Sequence, residues 1–145
     1  MNSCCVIGLG YIGLPTALLA AKAGYQVSGV DTNNDVVESI NQTKCIFEES
    51  GLQELLVEVK KTGNFTAHLK PIESDIYIIA VPTPIHKNTN GMPTPNIEIV
   101  FKAIDSILDI INEDSLIIIE STSPVGTSAK ISKYIYLKNN FKLEK

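Results

Sequence analysis

Apolar and polar positions along the chain change period repeatedly, and the changes mark out its elements. Residues 2–7 form a short apolar run, too short for a helix and free of helical spacing, and read as a strand. The segment 11–23 repeats its apolar residues at helical spacing and stops at Gly24, so it reads as a helix. A second strand is predicted over 26–30, and a short helix over 34–41 with Val36, Val37 and Ile40 turned inward. Ser50-Gly51-Leu52-Gln53 has the form of a capping box. The helix behind it would carry Leu52, Leu55, Leu56 and Val59 on one face and end at Gly63. A weak strand follows at 65–67. Residues 75–81 form a continuous apolar strand of the kind covered on both sides, closed by Pro82.

The proline- and asparagine-rich stretch 82–95 reads as a long loop. Thr94-Pro95 would cap and open the longest helix, along which Ile97, Val100, Phe101, Ile104, Ile107, Leu108 and Ile111 repeat as a core-facing stripe. A fifth strand is expected at 116–120 and a last helix at 127–138. Alternating strands and helices imply a parallel sheet with helices on both faces.

The junctions between these elements hold the chemistry. Gly8, Gly10 and Gly13 stand directly after the first strand, and Asp31 stands at the end of the second. This glycine spacing between strand and helix, with an acid ending the next strand, is the fingerprint of a Rossmann dinucleotide-binding fold. Gly8 permits the tight turn, Gly10 lets the backbone approach a pyrophosphate, and Gly13 allows close packing of the helix. The phosphates would rest on the free N–H groups of the helix N-terminus. Asp31 is placed to accept hydrogen bonds from the adenosine ribose. The doubly wound α/β sheet so predicted has five strands, lacking the sixth and last strand of the full dinucleotide-binding order, so the chain reads as the first part of something larger.

Ligands of such sheets bind outside the carboxyl ends of the strands, where strand order reverses. Three loops should meet there: Gly8 to Gly13, Val81-Pro82-Thr83-Pro84, and Ser121-Thr122-Ser123-Pro124-Val125-Gly126. Thr83 and Thr122 are the residues of the last two loops expected to contact the cofactor. Glu120 is a candidate carboxylate beside the site or a strand-end charge reaching water. His86 and His68 carry less, and Glu48-Glu49 reads as a solvated turn.

Composition narrows the choice of ligand. All 12 basic residues are lysines. An arginine commonly receives the 2′-phosphate of NADP; here Asp31 is followed by Thr32-Asn33-Asn34, which favours NAD. A net charge of −4 with no lysine stripe argues against nucleic acid as a partner. The sequence shows neither a signal peptide nor a membrane span, so a cytoplasmic location without membrane association is expected. Cys4, Cys5 and Cys45 read as small buried hydrophobes in a reducing compartment, and no metal-ligand spacing links them with His68 or His86.

Four blocks, taken in order, resemble the N-terminal domain of the nucleotide-sugar 6-dehydrogenases, the UDP-glucose/UDP-N-acetylmannosamine dehydrogenase family. They are Val6 to Pro15 (VIGLGYIGLP), Gly29-Val30-Asp31, Ala80 to Pro84 (AVPTP) and Glu120 to Thr127 (ESTSPVGT). The last block, with Gly-Tyr-Ile-Gly-Leu-Pro, is most similar to the UDP-N-acetyl-D-mannosamine branch. The resemblance implies oxidation of the sugar C6 alcohol to a carboxylate in two NAD-linked steps, through a thiohemiacetal and thioester on a cysteine. It implies that Tyr11 and Ile12 lie along the pyrophosphate and that Asp31 holds the adenosine ribose. Thr83 and Thr122 would line the nicotinamide side, with Thr122 in a supporting role near the reacting centre. It also implies a homodimer for the full-length enzyme, built largely on a central helix, with a UDP-sugar pocket mostly in further domains.

The family nucleophile has a Gly-Gly-x-Cys-x-Pro context that none of Cys4, Cys5 or Cys45 shares, so no catalytic residue is expected in this chain. Asn96 stands where the family usually has aspartate, which affects a helix cap. Ser50 replaces a common proline after Glu49, in a loop facing the substrate. The expected behaviour is NAD binding without turnover. The rival readings are a stand-alone, non-enzymatic NAD(H)-binding module, a hydroxyacid dehydrogenase sharing the first βαβ unit, and, more distantly, a methyltransferase. The blocks after the fourth and fifth strands argue against the hydroxyacid dehydrogenase.

Overall fold

A computed structural model describes residues 3–87 and 93–139 of the 145-residue chain. Its elements are β1 (Ser3–Ile7), α1 (Gly13–Lys22), β2 (Gln26–Val30), α2 (Asn34–Asn41), α3 (Leu52–Thr62), β3 (Phe65–His68), β4 (Ile76–Ile79), β5 (Ile85–Lys87), β6 (Pro93–Pro95), α4 (Glu98–Asp105), β7 (Leu116–Ile119) and α5 (Thr127–Asn139). Five strands form one parallel sheet in the order β3-β2-β1-β4-β7. This is the doubly wound arrangement expected from the alternation of elements, with strand order reversing between β1 and β4. Asn2, assigned to the first strand from the sequence, lies outside the described residues.

Each sheet face has its own core. On one side Cys4, Val6, Leu14, Leu18, Val27, Ile40, Leu56 and Phe65 pack together and bring in α1, α2 and α3. On the other, Cys5, Ile7, Tyr77, Ile79, Val100, Ile104, Ile131 and Ile135 pack with α4 and α5. Adjacent β1 residues therefore serve opposite layers, which is why this strand reads as an unbroken apolar run. Tyr77 is fully buried, and its hydroxyl donates to the Ile110 carbonyl (3.2 Å) and accepts from the Ser74 N–H (2.9 Å). No buried side-chain polar atom among the described residues lacks a partner.

The structure corrects three local expectations. Ser50 and Gln53 do not make a capping box: Gly51 is the N-cap of α3, with φ +79°, and no side chain caps the helix. The Gln53 amide is used elsewhere. Its Nε2 donates to the Thr43 carbonyl and its Oε1 accepts from the Cys45 N–H, both at 2.9 Å.

Thr94-Pro95 does not open a helix. Pro93–Pro95 is β6, antiparallel to β5, so the stretch 82–95 contains a small hairpin whose residues 88–92 lie outside the described set. Thr94 precedes a proline, which disfavours helical backbone at that position. The chain turns only at Asn96, whose Oδ1 accepts from the Glu98 N–H at 2.9 Å, and α4 follows.

Nor is α4 the longest helix. The Ser106 hydroxyl donates to the Ala103 carbonyl at 2.7 Å, and the Ile107 N–H bonds Ile104 instead. The backbone tightens into turns there, as expected when a serine competes for a helix carbonyl. The apolar stripe survives this change: Val100, Ile104, Ile107 and Ile111 are all buried.

Candidate functional site: a cleft over the strand ends

The loops after β1, β4 and β7 converge as predicted. They border a cleft of about 1050 Å³ whose lining includes Gly8, Gly10, Tyr11, Ile12, Asp31, Thr83 and Thr122. All the residues assigned to the cofactor from the sequence therefore share one surface, except Gly13, which lies beneath it.

The glycine loop is held by its neighbours. Gly8 has φ +95°, and a Cβ there would stand 2.7 Å from the Ala80 carbonyl oxygen, so no other residue fits without displacing the backbone just after β4. A Cβ on Gly13 would stand 1.7 Å from the Gly8 carbonyl oxygen, so the close approach is between the helix start and the loop itself. Gly10 differs: a Cβ there meets nothing within 4 Å. The protein does not need glycine at that position, whereas a ligand lying against the backbone would.

Asp31 joins the loop to β2. One carboxylate oxygen accepts from the Leu9 N–H (3.0 Å) and the other from the Asn33 N–H (2.9 Å). Both oxygens keep lone pairs for a further donor. The α1 N-terminus opens on the same cleft, with no side-chain cap and no acidic residue in its first turn. Its dipole suits an anion, although the Leu14 N–H already bonds the Gly10 carbonyl (3.1 Å) and Pro15 has no N–H to offer.

At the other end of the cleft, the Thr83 hydroxyl donates to the Thr122 carbonyl at 2.6 Å. Its proton is committed, so towards a ligand Thr83 offers only acceptor lone pairs. The Ser121 hydroxyl reaches the Ile79 and Val81 carbonyls (3.1 and 2.8 Å) and locks the β7 loop against β4. Glu120 lines the cleft, and its Oε1 accepts from the Thr16 hydroxyl at 3.0 Å, linking β7 to α1.

Sequence reasoning missed part of the lining of the cleft. Leu69, Lys70 and Pro71 after β3 contribute to it, as do Lys102, Ser106 and Asp109. The last three stand at i, i+4 and i+7, a polar stripe beside the apolar one and the signal that could have revealed them.

Cys4 and Cys5 are buried away from the cleft, and burial pushes both thiols up to about 11. Burial, with Glu54 nearby, also raises Cys45. No group of His, Cys, Asp and Glu among the described residues is arranged to hold a metal ion. Burial and the neighbouring Lys60 lower the pKa of His68, which pairs within the sheet as part of β3. His86 stands on β5, and its side chain lies outside the described set.

The model of the UDP-glucose/GDP-mannose dehydrogenase family, NAD binding domain, matches residues 2–144. The chain belongs to this family. It corresponds to the NAD-binding domain, and NAD is its cofactor. The UDP-N-acetyl-D-mannosamine dehydrogenase of Methanococcus aeolicus is 44% identical over 131 residues, which cover 90% of this chain and 30% of that protein. That of Campylobacter jejuni is 42% identical over 134 residues, 92% of this chain and 32% of the relative. The chain thus spans about a third of the length of these curated relatives.

Among solved structures, the UDP-N-acetyl-mannosamine dehydrogenase of Staphylococcus aureus superposes with a TM-score of 0.90 at 37% identity, over 97% of this chain and 34% of that one. The GDP-mannose dehydrogenase of Pseudomonas aeruginosa gives 0.85 at 27% identity, over 98% and 33%. The mannosamine-type relatives agree with the branch indicated by the Glu120 to Thr127 block. No helix among the described residues is long and apolar enough to cross a membrane.

Proposed function

We propose that the chain is the cofactor-binding part of an NAD-dependent nucleotide-sugar 6-dehydrogenase. Its substrate would be UDP-N-acetyl-D-mannosamine or a related UDP-hexose, whose C6 alcohol becomes a carboxylate in two steps. The observation that carries the reading is the open space at Gly10 between two sterically enforced glycines, facing an uncapped helix start. That is a cradle for a pyrophosphate. NAD supplies the hydride acceptor when bound.

This chain's residues bind and orient the cofactor. Gly8, Gly10, Tyr11, Ile12 and Gly13 form the pyrophosphate cradle, Asp31 accepts from the adenosine ribose, and Thr83 and Thr122 border the nicotinamide end. Asp31, with no arginine in the chain, disfavours a 2′-phosphate. Catalysis is assigned to residues of the longer family proteins: Cys4 and Cys5 are too deeply buried to serve as nucleophiles. The UDP-sugar pocket and the homodimer interface are assigned there too. The three free cysteines suit a reducing, cytoplasmic setting.

Thermal unfolding with NAD and with NADP tests the reading. A ligand at 100 times its Kd adds about 2.7 kcal/mol, or about 5–10 °C for a chain of this size. A shift with NAD and none with NADP is expected. Equal shifts would refute the role of Asp31, and no shift with either would refute the site.

A further inference from the structure

Tyr11 stands between two glycines of the loop and is 68% exposed, yet its ring has a partner. Phe47, in the connection between α2 and α3, stacks on it with centroids 4.3 Å apart and planes tilted by 30°. Tyr11 lines the cofactor cleft, while Phe47 lines a second concavity of about 750 Å³. The aromatic contact thus joins a residue of the one to a residue of the other.

We propose that Phe47 is a positioning residue for the dinucleotide loop, bracing Tyr11 so that the pyrophosphate cradle is formed before cofactor arrives. The proposal rests on the site reading above. Tyr11 follows Gly10 directly and lies two residues before Gly13, so its stretch of backbone has a broad conformational range, and a ligand that must order it binds more weakly. Phe47 can supply the order because it is itself anchored. It packs against the α1–α3 core, and its connection is clamped by the two Gln53 hydrogen bonds to Thr43 and Cys45. The Lys44 N–H bonds the Ser39 carbonyl at 2.9 Å, and Thr43 adopts φ +62°. The brace thus runs from α3 through Gln53 and Phe47 to Tyr11.

The test is a four-protein cycle on the full chain: parent, Phe47→Leu, Tyr11→Leu and the double variant, with NAD affinity by titration calorimetry and unfolding temperature without ligand. Leucine keeps the apolar contact with the core and removes the ring face. Phe47→Leu is expected to weaken NAD about three- to tenfold, the equivalent of one aromatic pair. In the Tyr11→Leu background it should cost nothing further, because the residue acts through Tyr11. Phe47→Tyr should restore parental affinity.

The chain has no tryptophan. Phe47→Trp therefore places a single indole on the Tyr11 ring, and its emission should change saturably with NAD. Parental affinity in Phe47→Leu, or the same loss in both backgrounds, overturns the proposal while leaving the site intact. A parent that binds no NAD overturns the site reading and this proposal with it. If Phe47→Leu does not fold, Phe47→Met, also apolar and ringless, replaces it in the cycle under the same criteria.

Discussion

Gly10 and Gly13, three residues apart in one loop, should respond to the same substitution in opposite ways. At Gly13 a methyl group would stand 1.7 Å from the Gly8 carbonyl oxygen and 3.1 Å from the Ala80 Cβ. Real Cβ contacts do not come under 3.0 Å, so the loop or the start of α1 must move by more than an ångström. Both are anchored: Gly8 N–H bonds the Val30 carbonyl at 2.7 Å, and Leu14 N–H bonds Gly10 at 3.1 Å. Overpacking of this kind costs about 3 kcal/mol, at the upper end of its usual range. Gly13→Ala should therefore lower the unfolding temperature by about 6–12 °C.

At Gly10 the same methyl group enters open space, and no positive φ opposes it. Gly10→Ala should leave the unliganded protein within about 1 kcal/mol of the parent, with a small gain possible from a stiffer unfolded chain. What it should lose is the stabilisation by NAD, because the methyl group occupies the place of the pyrophosphate. Differential scanning calorimetry of the three proteins, each with and without NAD, separates the effects. A Gly10→Ala protein that keeps the parental NAD shift would refute the assignment of this space to the cofactor. A Gly13→Ala protein as stable as the parent would refute the steric account of the loop.

Asp31→Ala removes the acceptor of the buried Leu9 N–H and that of the Asn33 N–H. It should destabilise the unliganded chain by about 2–3 kcal/mol in denaturant titration, mostly through the unpaired Leu9 donor. Asp31→Asn keeps one acceptor and should lie between parent and alanine, with weaker discrimination against NADP. Stability should also fall at alkaline pH. Cys4 and Cys5 are held protonated by burial up to about 11, above their ordinary value of 9.0. Their contribution is fully present below pH 9 and lost as pH rises towards 11, because the unfolded chain gives up these protons first. Denaturation midpoints across that window check the sign, and Cys4→Ala/Cys5→Ala should flatten the decline.

Much of the site was legible because its logic is local. The period of apolar residues distinguishes strand from helix, and the backbone of a tight βα turn dictates where glycines must stand. That is why β2 and α2 have their expected bounds. The misjudged elements turn on competition between partners. Gln53 could cap α3 or clamp Thr43 and Cys45, and only the path of the connection brings those groups within 2.9 Å. Ser106 could face water or take the Ala103 carbonyl, and taking it ends α4 at Asp105. Sequence spacing does not say which hydrogen-bond partner is nearer in space.

By itself, the sequence determined the doubly wound sheet, the glycine loop, the acid that ends β2 and the exclusion of arginine from the site. Each follows from residue type and separation along one or two adjacent elements. Only the tertiary structure decided that Lys102, Ser106 and Asp109 share a cleft with Gly10, and that Phe47 stacks on Tyr11. Those pairings span 36 residues or more and depend on how the α2–α3 connection and α4 cross over opposite faces of the sheet. Side-chain shape and the competition for buried hydrogen bonds set that geometry, and neither has a signature in the period of the chain.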